Sequence, residues 1–209
     1  QAMGADNLQF MVPNRFTDGY GLTPAIAEKA LGFQPDLVIT VDNGIASVDG
    51  VLAAKEQGWQ VVVTDHHLAP AVLPAADAIV NPNQPGDQFL SKNLAGVGVI
   101  FYVMLALRKQ LAEQGWFATC GIQSPNMGQF LDLVALGTIA DVVQLDLNNR
   151  ILVYQGLQRI RAGKARQGIQ ALLQVAGKRC ETLRATDLAF AVGPRLNAAG
   201  RLDDMTLGV

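Results

Sequence analysis

The sequence predicts an α/β fold: a parallel sheet with helices on both faces, followed by a mainly helical segment that leads towards a second domain. Two apolar, β-branched runs, LVITV at Leu37–Val41 and QVVVT at Gln60–Thr64, are typical of strands buried on both faces. A helix-length segment at residues 49–57 separates them, and a third short run follows at residues 78–80. This alternation of strand and helix implies right-handed crossovers between parallel strands.

Local signals predict the remaining elements. Thr23 followed by Pro24 is typical of a helix start, and Gly32 of its end. The longest uncharged apolar run, Leu94 to Leu107, is too short for a membrane span, so we expect no membrane partner and predict a buried helix at residues 98–110. The other predicted elements are a strand at residues 8–12, helices at residues 25–31, 127–136, 149–161 and 167–176, and a helix start at Asp203.

Charge divides the chain into two parts. Residues 1–147 hold 14 acidic and 6 basic side chains, whereas residues 148–209 hold 4 and 10. An acidic part could hold cations and a basic part phosphates, although a solvated basic helix face is the alternative interpretation. We therefore predict a core domain over residues 1–147, and over residues 148–209 a basic helical segment that begins the connection to a second domain.

Processing and compartment signals are few. We find no signal-peptide pattern, and Cys120 and Cys180 stand far apart without metal-ligand spacing, which favours a reducing cytoplasm. Both ends look cut, because the chain opens at Gln1 and stops soon after the helix start at Asp203. We expect a fragment of a longer protein.

Acids and histidines follow the two central strands. Asp42 comes directly after the first, and Asp65, His66 and His67 come directly after the second. Ligands of open parallel sheets bind beyond the carboxyl ends of the strands, so we expect these side chains to share a crevice. Carboxylates with one or two imidazoles suit Mn²⁺, Mg²⁺ or Zn²⁺, and an oxygen-rich set favours Mn²⁺ or Mg²⁺.

A further acid lies in the apolar run VALGTIADVV. Asp141 needs an ion-pair, hydrogen-bond or metal partner if it is buried, because an uncompensated buried charge costs several kcal/mol. Each acid has a second interpretation: Asp42 before Asn43-Gly44 could simply form a turn, and Asp141 could cap a helix or make a buried hydrogen bond. Two adjacent histidines behind an acid favour a functional site over a satisfied polar pair.

A basic block near the end of the sequence suits phosphate. GPRLNAAGRLDD surrounds Arg195, Asn197 and Arg201 with small residues, and guanidinium groups bind phosphate oxygens bidentately. Arginines in salt bridges at a helix start are the alternative. Gly96 and Gly98 in LAGVGV could either cradle a phosphate or allow close helix packing.

These motifs together resemble the DHH phosphoesterase family, named for the triplet that stands here as Asp65-His66-His67. Within it, they resemble the branch that degrades single-stranded DNA from the 5′ end. The matching blocks cover almost the whole chain: VPNRFTDGYGL, VITVDNGI, VVVTDHHLAPAVLPAADAIVNPN, LAGVGVIFYVMLALR, LVALGTIADVVQLDLNNRILV and GPRLNAAGRLDD.

The resemblance implies roles for individual residues. Asp42, His66 and Asp141 would ligate metal, His67 would contact the scissile phosphate, and Asp65 would orient the histidines. For the DNA, the resemblance suggests that Arg15 and Arg201 hold the 5′-phosphate end. Arg195 and Asn197 complete the predicted phosphate pocket, and Tyr20 is a candidate for stacking on a base.

Metal content and partners are also implied. The family carries an aspartate-rich block, DxDADG, upstream of the first strand, which completes a site for two Mn²⁺ or Mg²⁺ ions; this sequence has no such block. We therefore expect the fragment alone to be inactive. The implied partners are single-stranded DNA, a single-strand-binding protein and a helicase, with the enzyme a monomer.

Two other functions fit the same residues. A DHH relative could act on pyrophosphate, cyclic dinucleotides or very short oligonucleotides, although the basic C-terminal part favours a longer substrate. A non-catalytic module that binds metal or DNA is the other hypothesis, which the missing aspartate-rich block keeps open.

Overall fold

A computed structural model of the chain describes residues 1–14 and 18–202, with the side chains of residues 199–202 excepted. Its sheet has three parallel strands in the order β1-β2-β3, with Leu37 opposite Gln60 and Val62 opposite Ala78. Three of the four predicted strands are confirmed residue for residue: β1 is Leu37–Val41, β2 is Gln60–Thr64 and β3 is Ala78–Val80.

Most predicted helices form within a few residues of their predicted bounds. Thr23 caps the first one, its hydroxyl accepting a hydrogen bond from the Ile26 N–H, with Pro24 at the first position. The predicted helix at residues 127–136 begins with a 3₁₀ turn at Met127–Phe130. The helices are α1 Pro24–Ala30, α2 Val48–Glu56, α3 Gly96–Glu113, α4 Trp116–Thr119, α5 Leu131–Ala140, α6 Leu147–Arg161, α7 Gln167–Val175, α8 Ala185–Asp187 and α9 Gly193–Leu202.

Three apolar clusters hold these elements together. Helices α1 and α2 pack on β2 through Val61 and Val63, which are fully buried. Helix α3 contacts β1 and β2 and shares a second cluster with α4 and α5. The third cluster joins α5 to α6, α7 and the π-helical turn Leu188–Val192 that leads into α9. Helices α5 and α6 contribute side chains to both the second and the third cluster, and they therefore link the sheet layer to the C-terminal helices.

Two sequence predictions about strands are wrong. Residues 8–12 form no strand, since in the described part of the chain the sheet ladders join only β1, β2 and β3. Strand β1 is not buried on both faces either: Leu37, Ile39 and Val41 are each nearly half exposed. These three side chains alternate along the strand and therefore share one face of β1, and that face lacks a covering layer among the described residues.

The division into domains at residue 147 stays a prediction. The proposed boundary falls at the first residue of α6, and α6 packs closely against α5. Within the described residues, no helix is both long and apolar enough to cross a bilayer. The helix start predicted at Asp203 lies outside the described residues.

Candidate metal centre

The imidazole of His66 lies between two carboxylates. Its Nε2 atom is 3.2 Å from Asp42 Oδ1 and 3.3 Å from Asp141 Oδ2. Nε2 is buried, and both contacts are longer than a well-formed hydrogen bond. Asp42 Oδ1 and Asp141 Oδ2 thus both lie close to His66 Nε2. Two carboxylates and one imidazole form a donor set that fits Mn²⁺ or Mg²⁺.

Asp42 reaches this point through an unusual backbone. It follows β1 with φ of 65°, in the left-handed region that asparagine and aspartate tolerate better than most residues. Its N–H donates to the Thr64 carbonyl at 3.0 Å, which continues the β1-β2 ladder by one residue. Across from it, a Cβ on Gly96 would lie 2.1 Å from Asp42 Oδ1. Gly96 therefore leaves the space that the carboxylate occupies.

The buried carboxylate of Asp65 makes several hydrogen bonds within the loop that follows β2. Its side chain is only 2% exposed, and Oδ2 accepts the Ile45 N–H at 2.9 Å. Oδ1 accepts the N–H groups of His66 and His67 at 2.7 and 3.2 Å and contacts His67 Nδ1 at 2.7 Å. These bonds tie the loop after β1 to the end of β2 and fix both histidines, which supports an orienting role.

Asp141 ends helix α5. It occupies the C-cap position, with its N–H donating to the Gly137 carbonyl at 2.9 Å. The burial expected of this acid is not found, because the residue is exposed, with its side chain 36% accessible. The next residue, Val142, has φ of 61°, a strained conformation for a β-branched residue. The chain turns sharply there, immediately after the carboxylate that faces His66.

His67 and Tyr20 lie next to Asp42 and His66. One ligand atom each from Asp42, His66 and His67 lie within 4.8 Å of one another, so His67 is an alternative third ligand to Asp141. The two histidine rings have centroids 4.5 Å apart. Tyr20 donates its hydroxyl to the Asp42 carbonyl at 2.8 Å and meets the His67 ring edge-on, with the centroids 6.0 Å apart. Its ring is mostly exposed, as a base-stacking residue requires.

The charges of the site act on each other. The Asp42 carboxylate raises the pKa of His66 above its usual value, burial opposes this, and the charge of Asp141 adds to it. Burial and the Asp42 charge raise the pKa of Asp141, against the pull of His66. Burial alone would raise the pKa of Asp65, but its hydrogen bonds, led by that from Ile45, hold it below the usual range. The protonation of His66 is therefore coupled to the charges of Asp42 and Asp141.

Two asparagines, missed in the sequence, hold the histidine backbone from the other side. Asn83 Nδ2 donates to the His66 carbonyl at 2.6 Å, and Asn81 Nδ2 to the His67 carbonyl at 2.9 Å. The motif NPNQPG indicates a turn, and nothing local shows which carbonyls its amides reach.

The C-terminal block lies beside helix α5. A Cβ on Gly193, the first residue of α9, would lie 3.5 Å from Ala140 Cβ, and Ala140 precedes Asp141. Arg195 and Asn197 are exposed on α9, and Arg195 Nη1 donates to the Ala191 carbonyl at 2.5 Å. Arg15 and the side chain of Arg201 lie outside the described residues. At Gly96 and Gly98 the structure shows close packing, against Asp42 and Leu94.

Sequence comparison assigns the chain to a class. The profile of the DHH family, N-terminal domain, matches residues 1–138, and the chain belongs to this family. It is 58% identical over all 209 residues to the single-stranded-DNA-specific exonuclease RecJ of Escherichia coli K12 and to that of Salmonella typhimurium LT2. The RecJ of Bacillus subtilis 168 is 39% identical over 198 residues, 94% of this chain and 23% of that protein. The chain spans 36% of the length of the first two relatives.

Solved structures agree with this assignment. Exonuclease RecJ bound to manganese superposes with a TM-score of 0.77 at 34% identity, over 94% of this chain and 46% of that one. RecJ in complex with Mn²⁺ from Thermus thermophilus gives a TM-score of 0.68 at 34% identity, over 86% of this chain and 25% of that one. The predicted α/β fold and the predicted DHH family are thereby confirmed.

Proposed function

We propose that this chain forms part of a metal-dependent exonuclease that hydrolyses single-stranded DNA from its 5′ end. The observation that carries the proposal is the approach of two carboxylates, Asp42 and Asp141, to the buried Nε2 of His66 at 3.2 and 3.3 Å. Relatives that are 58% identical over the whole chain carry the name of single-stranded-DNA-specific exonucleases, which supports the substrate and the reaction.

Asp42, His66 and Asp141 would hold a Mn²⁺ or Mg²⁺ ion. A divalent cation supplies Lewis-acid stabilisation of charge on the phosphate and makes water a stronger nucleophile at neutral pH. Solved relatives are described as bound to manganese or in complex with Mg²⁺. A second ion needs more acidic ligands than these two carboxylates, and we propose that they come from a region outside this chain, which spans 36% of the length of the Escherichia coli relative.

His67 and Asp65 would act on the phosphate side of the site. The contact between Asp65 Oδ1 and His67 Nδ1 places a proton on Nδ1 and leaves Nε2 directed away from the carboxylate. The His67 side chain is 48% exposed, so a phosphate oxygen could approach it. In this proposal His67 contacts the scissile phosphate, while Asp65 fixes the orientation of its ring.

The DNA would approach past Tyr20 and α9. Tyr20 is exposed beside the metal ligands and could stack on a base. Arg195 and Asn197 would bind phosphate oxygens on the helix that packs against Ala140. Arg15 and Arg201 are proposed to hold the 5′-phosphate because the family resemblance suggests it. The basic segment of residues 148–209 could then follow the strand electrostatically.

We place this activity in DNA repair and recombination in the cytoplasm. A single-strand-binding protein and a helicase are the proposed partners, because such an exonuclease needs exposed single strands. The two cysteines, Cys120 and Cys180, are free, which fits a reducing compartment. Monomeric action is also part of the proposal.

The test is label release from DNA by the full-length protein with Mn²⁺. We expect release of a 5′ label from a long single strand, and little release from duplex DNA. Asp42→Asn should lower the rate by at least about 100-fold. Asp36→Asn, the same change at the opposite end of β1, should leave it unaltered.

Each alternative result has a distinct meaning. Full turnover by Asp42→Asn would remove Asp42 from the metal site, and release of the 3′ label first would contradict the polarity. Turnover restricted to a trinucleotide would indicate a small-nucleotide phosphodiesterase. Binding of Mn²⁺ or DNA without turnover would favour a non-catalytic module.

A further inference from the structure

The two histidines lie in backbone that no sheet ladder holds. Strand β2 ends at Thr64, and the chain from Asp65 to His67 is irregular. The β2-β3 ladder extends one bond into this segment, where the Asp65 N–H donates to the Val80 carbonyl at 3.1 Å. The direction of each imidazole depends on the orientation of its peptide groups, so something other than the sheet must fix them.

The amides of Asn81 and Asn83 supply that restraint. They donate to the carbonyls of His67 and His66, respectively, at 2.9 and 2.6 Å. On the opposite side, Asp65 Oδ1 accepts the N–H groups of the same two histidines. The backbone of both residues is therefore held at its N–H and at its C=O, by one carboxylate and two amides.

The asparagines are themselves well fixed. Asn81 is 1% exposed, and its Oδ1 accepts the Asn83 N–H at 2.8 Å. Asn83 Nδ2 also donates to the Lys92 carbonyl at 3.1 Å. The Lys92 ammonium in turn donates to the Pro82 carbonyl at 2.6 Å, which closes the loop that carries both asparagines. Asn81 is buried with bonds at both ends of its amide, and half-buried Asn83 donates to two carbonyls, so moving either amide would leave polar groups unpaired.

We propose that Asn81 and Asn83 are positioning residues that hold the His66-His67 backbone so that the imidazoles point at the candidate metal centre. The described hydrogen bonds of the two asparagines go to the histidine carbonyls and not to Asp42 or Asp141, so their influence passes through those carbonyls. The inference rests on the proposed function in one respect only: it assumes that the two histidines line a metal site. The restraint on the backbone can be measured without metal.

The test compares Asn83→Leu with Gln84→Leu in the full-length protein. Leucine is close in shape to asparagine and removes the donor without adding charge. Gln84 is the matched control, because its amide donates from the same turn to the carbonyl of Ile79 at 3.1 Å, away from the histidines. The readouts are hydrogen–deuterium exchange of the peptide covering residues 61–70 without metal, the dissociation constant for Mn²⁺, and the midpoint of thermal unfolding.

We expect Asn83→Leu to accelerate exchange at residues 66 and 67 and to weaken Mn²⁺ binding by about 10-fold or more. Gln84→Leu should lower the unfolding midpoint comparably while changing neither exchange there nor Mn²⁺ affinity. Equal effects of the two substitutions on exchange and affinity would overturn the inference. If the unaltered protein binds no Mn²⁺, the proposed metal centre fails, and the exchange comparison alone decides whether Asn83 holds the histidines.

Discussion

The backbone N–H of Ile45 donates to Asp65 Oδ2 at 2.9 Å, which joins the loop after β1 to the end of β2. As whole residues, Ile45 and Asp65 are each 1% exposed, so this bond is shielded from water. The other oxygen of Asp65 holds the histidine loop. One carboxylate thus sets the distance between the strand end that carries Asp42 and the strand end that carries His66.

Asp65→Asn should destabilise the protein by about 1–3 kcal/mol at pH 7, because one acceptor oxygen becomes an amide donor facing other donors. The pKa of Asp65 is held below its usual value, so its ionic contribution is present above the unfolded pKa and is lost as pH falls through the folded pKa. Urea unfolding at pH 7 measures the loss, and the difference from the unaltered protein should shrink in acid. Asp49→Asn, an exposed acid in the first turn of α2, should cost less than about 1 kcal/mol.

The stability of the metal-free protein should fall with rising pH just above the ordinary histidine pKa of about 6.5. Contact with Asp42, then the charge of Asp141, raises the pKa of His66 in the folded state. The contribution of protonated His66 to the free energy of unfolding is therefore complete below the unfolded pKa and is lost as pH rises through the folded pKa. Thermal unfolding against pH measures this, and His66→Ala should abolish the slope.

With Mn²⁺ present, the trend should reverse. Protons and the cation compete for His66 Nε2, so Mn²⁺ affinity should rise with pH over the same window. Calorimetric titration at several pH values checks the prediction. An affinity independent of pH across that window would contradict the assignment of His66 as a ligand.

Gly96→Ala should weaken Mn²⁺ binding and lower stability by about 1–3 kcal/mol. The added Cβ would lie 2.1 Å from Asp42 Oδ1, so either the carboxylate or the start of α3 must move. Gly168→Ala is the matched control, because that glycine lies in α7 with open space around it. Alanine there should raise stability by up to about 1 kcal/mol and leave the metal affinity unchanged.

Asp132→Ala should cost about 1–3 kcal/mol of the free energy of unfolding. The Asp132 carboxylate is fully buried in α5, and it binds Arg166 through Nη1 at 2.6 Å and through the backbone N–H at 2.8 Å. This pair fixes α5, which carries Asp141 at its end, to the start of α7. For comparison, Glu181→Ala removes the exposed pair with Arg179 and should cost no more than about 1 kcal/mol. Urea unfolding of both variants measures the difference.

Local patterns predicted a large part of this fold. Continuous β-branched runs placed β1 and β2, and Thr23 with Pro24 placed the start of α1, because these signals act within a few residues. The crevice followed from a general property of parallel sheets, whose carboxyl ends lie at one edge. The grouping of Asp42 with His66 thus needed no tertiary coordinates.

The exposure of β1 and the irregular backbone at residues 8–12 could not be predicted in the same way. A strand-like run forms a strand only where a partner offers its free N–H and C=O groups, and burial depends on what covers the sheet. A few consecutive residues reveal neither the pairing partner nor the covering layer. The closeness of Gly96 to Asp42 is similar, since a glycine in an apolar run does not reveal what approaches it.

The sequence by itself determined the strands, the helix starts, the DHH family and the residues that meet at the ends of β1 and β2. Only the tertiary structure decided that Asp141 reaches His66 Nε2 and that Asn81 and Asn83 bind the histidine carbonyls. These contacts join residues from 14 to 75 positions apart in the chain. Their geometry depends on how α5 packs against its neighbours and how the loop after β3 folds back, and no local periodicity encodes either.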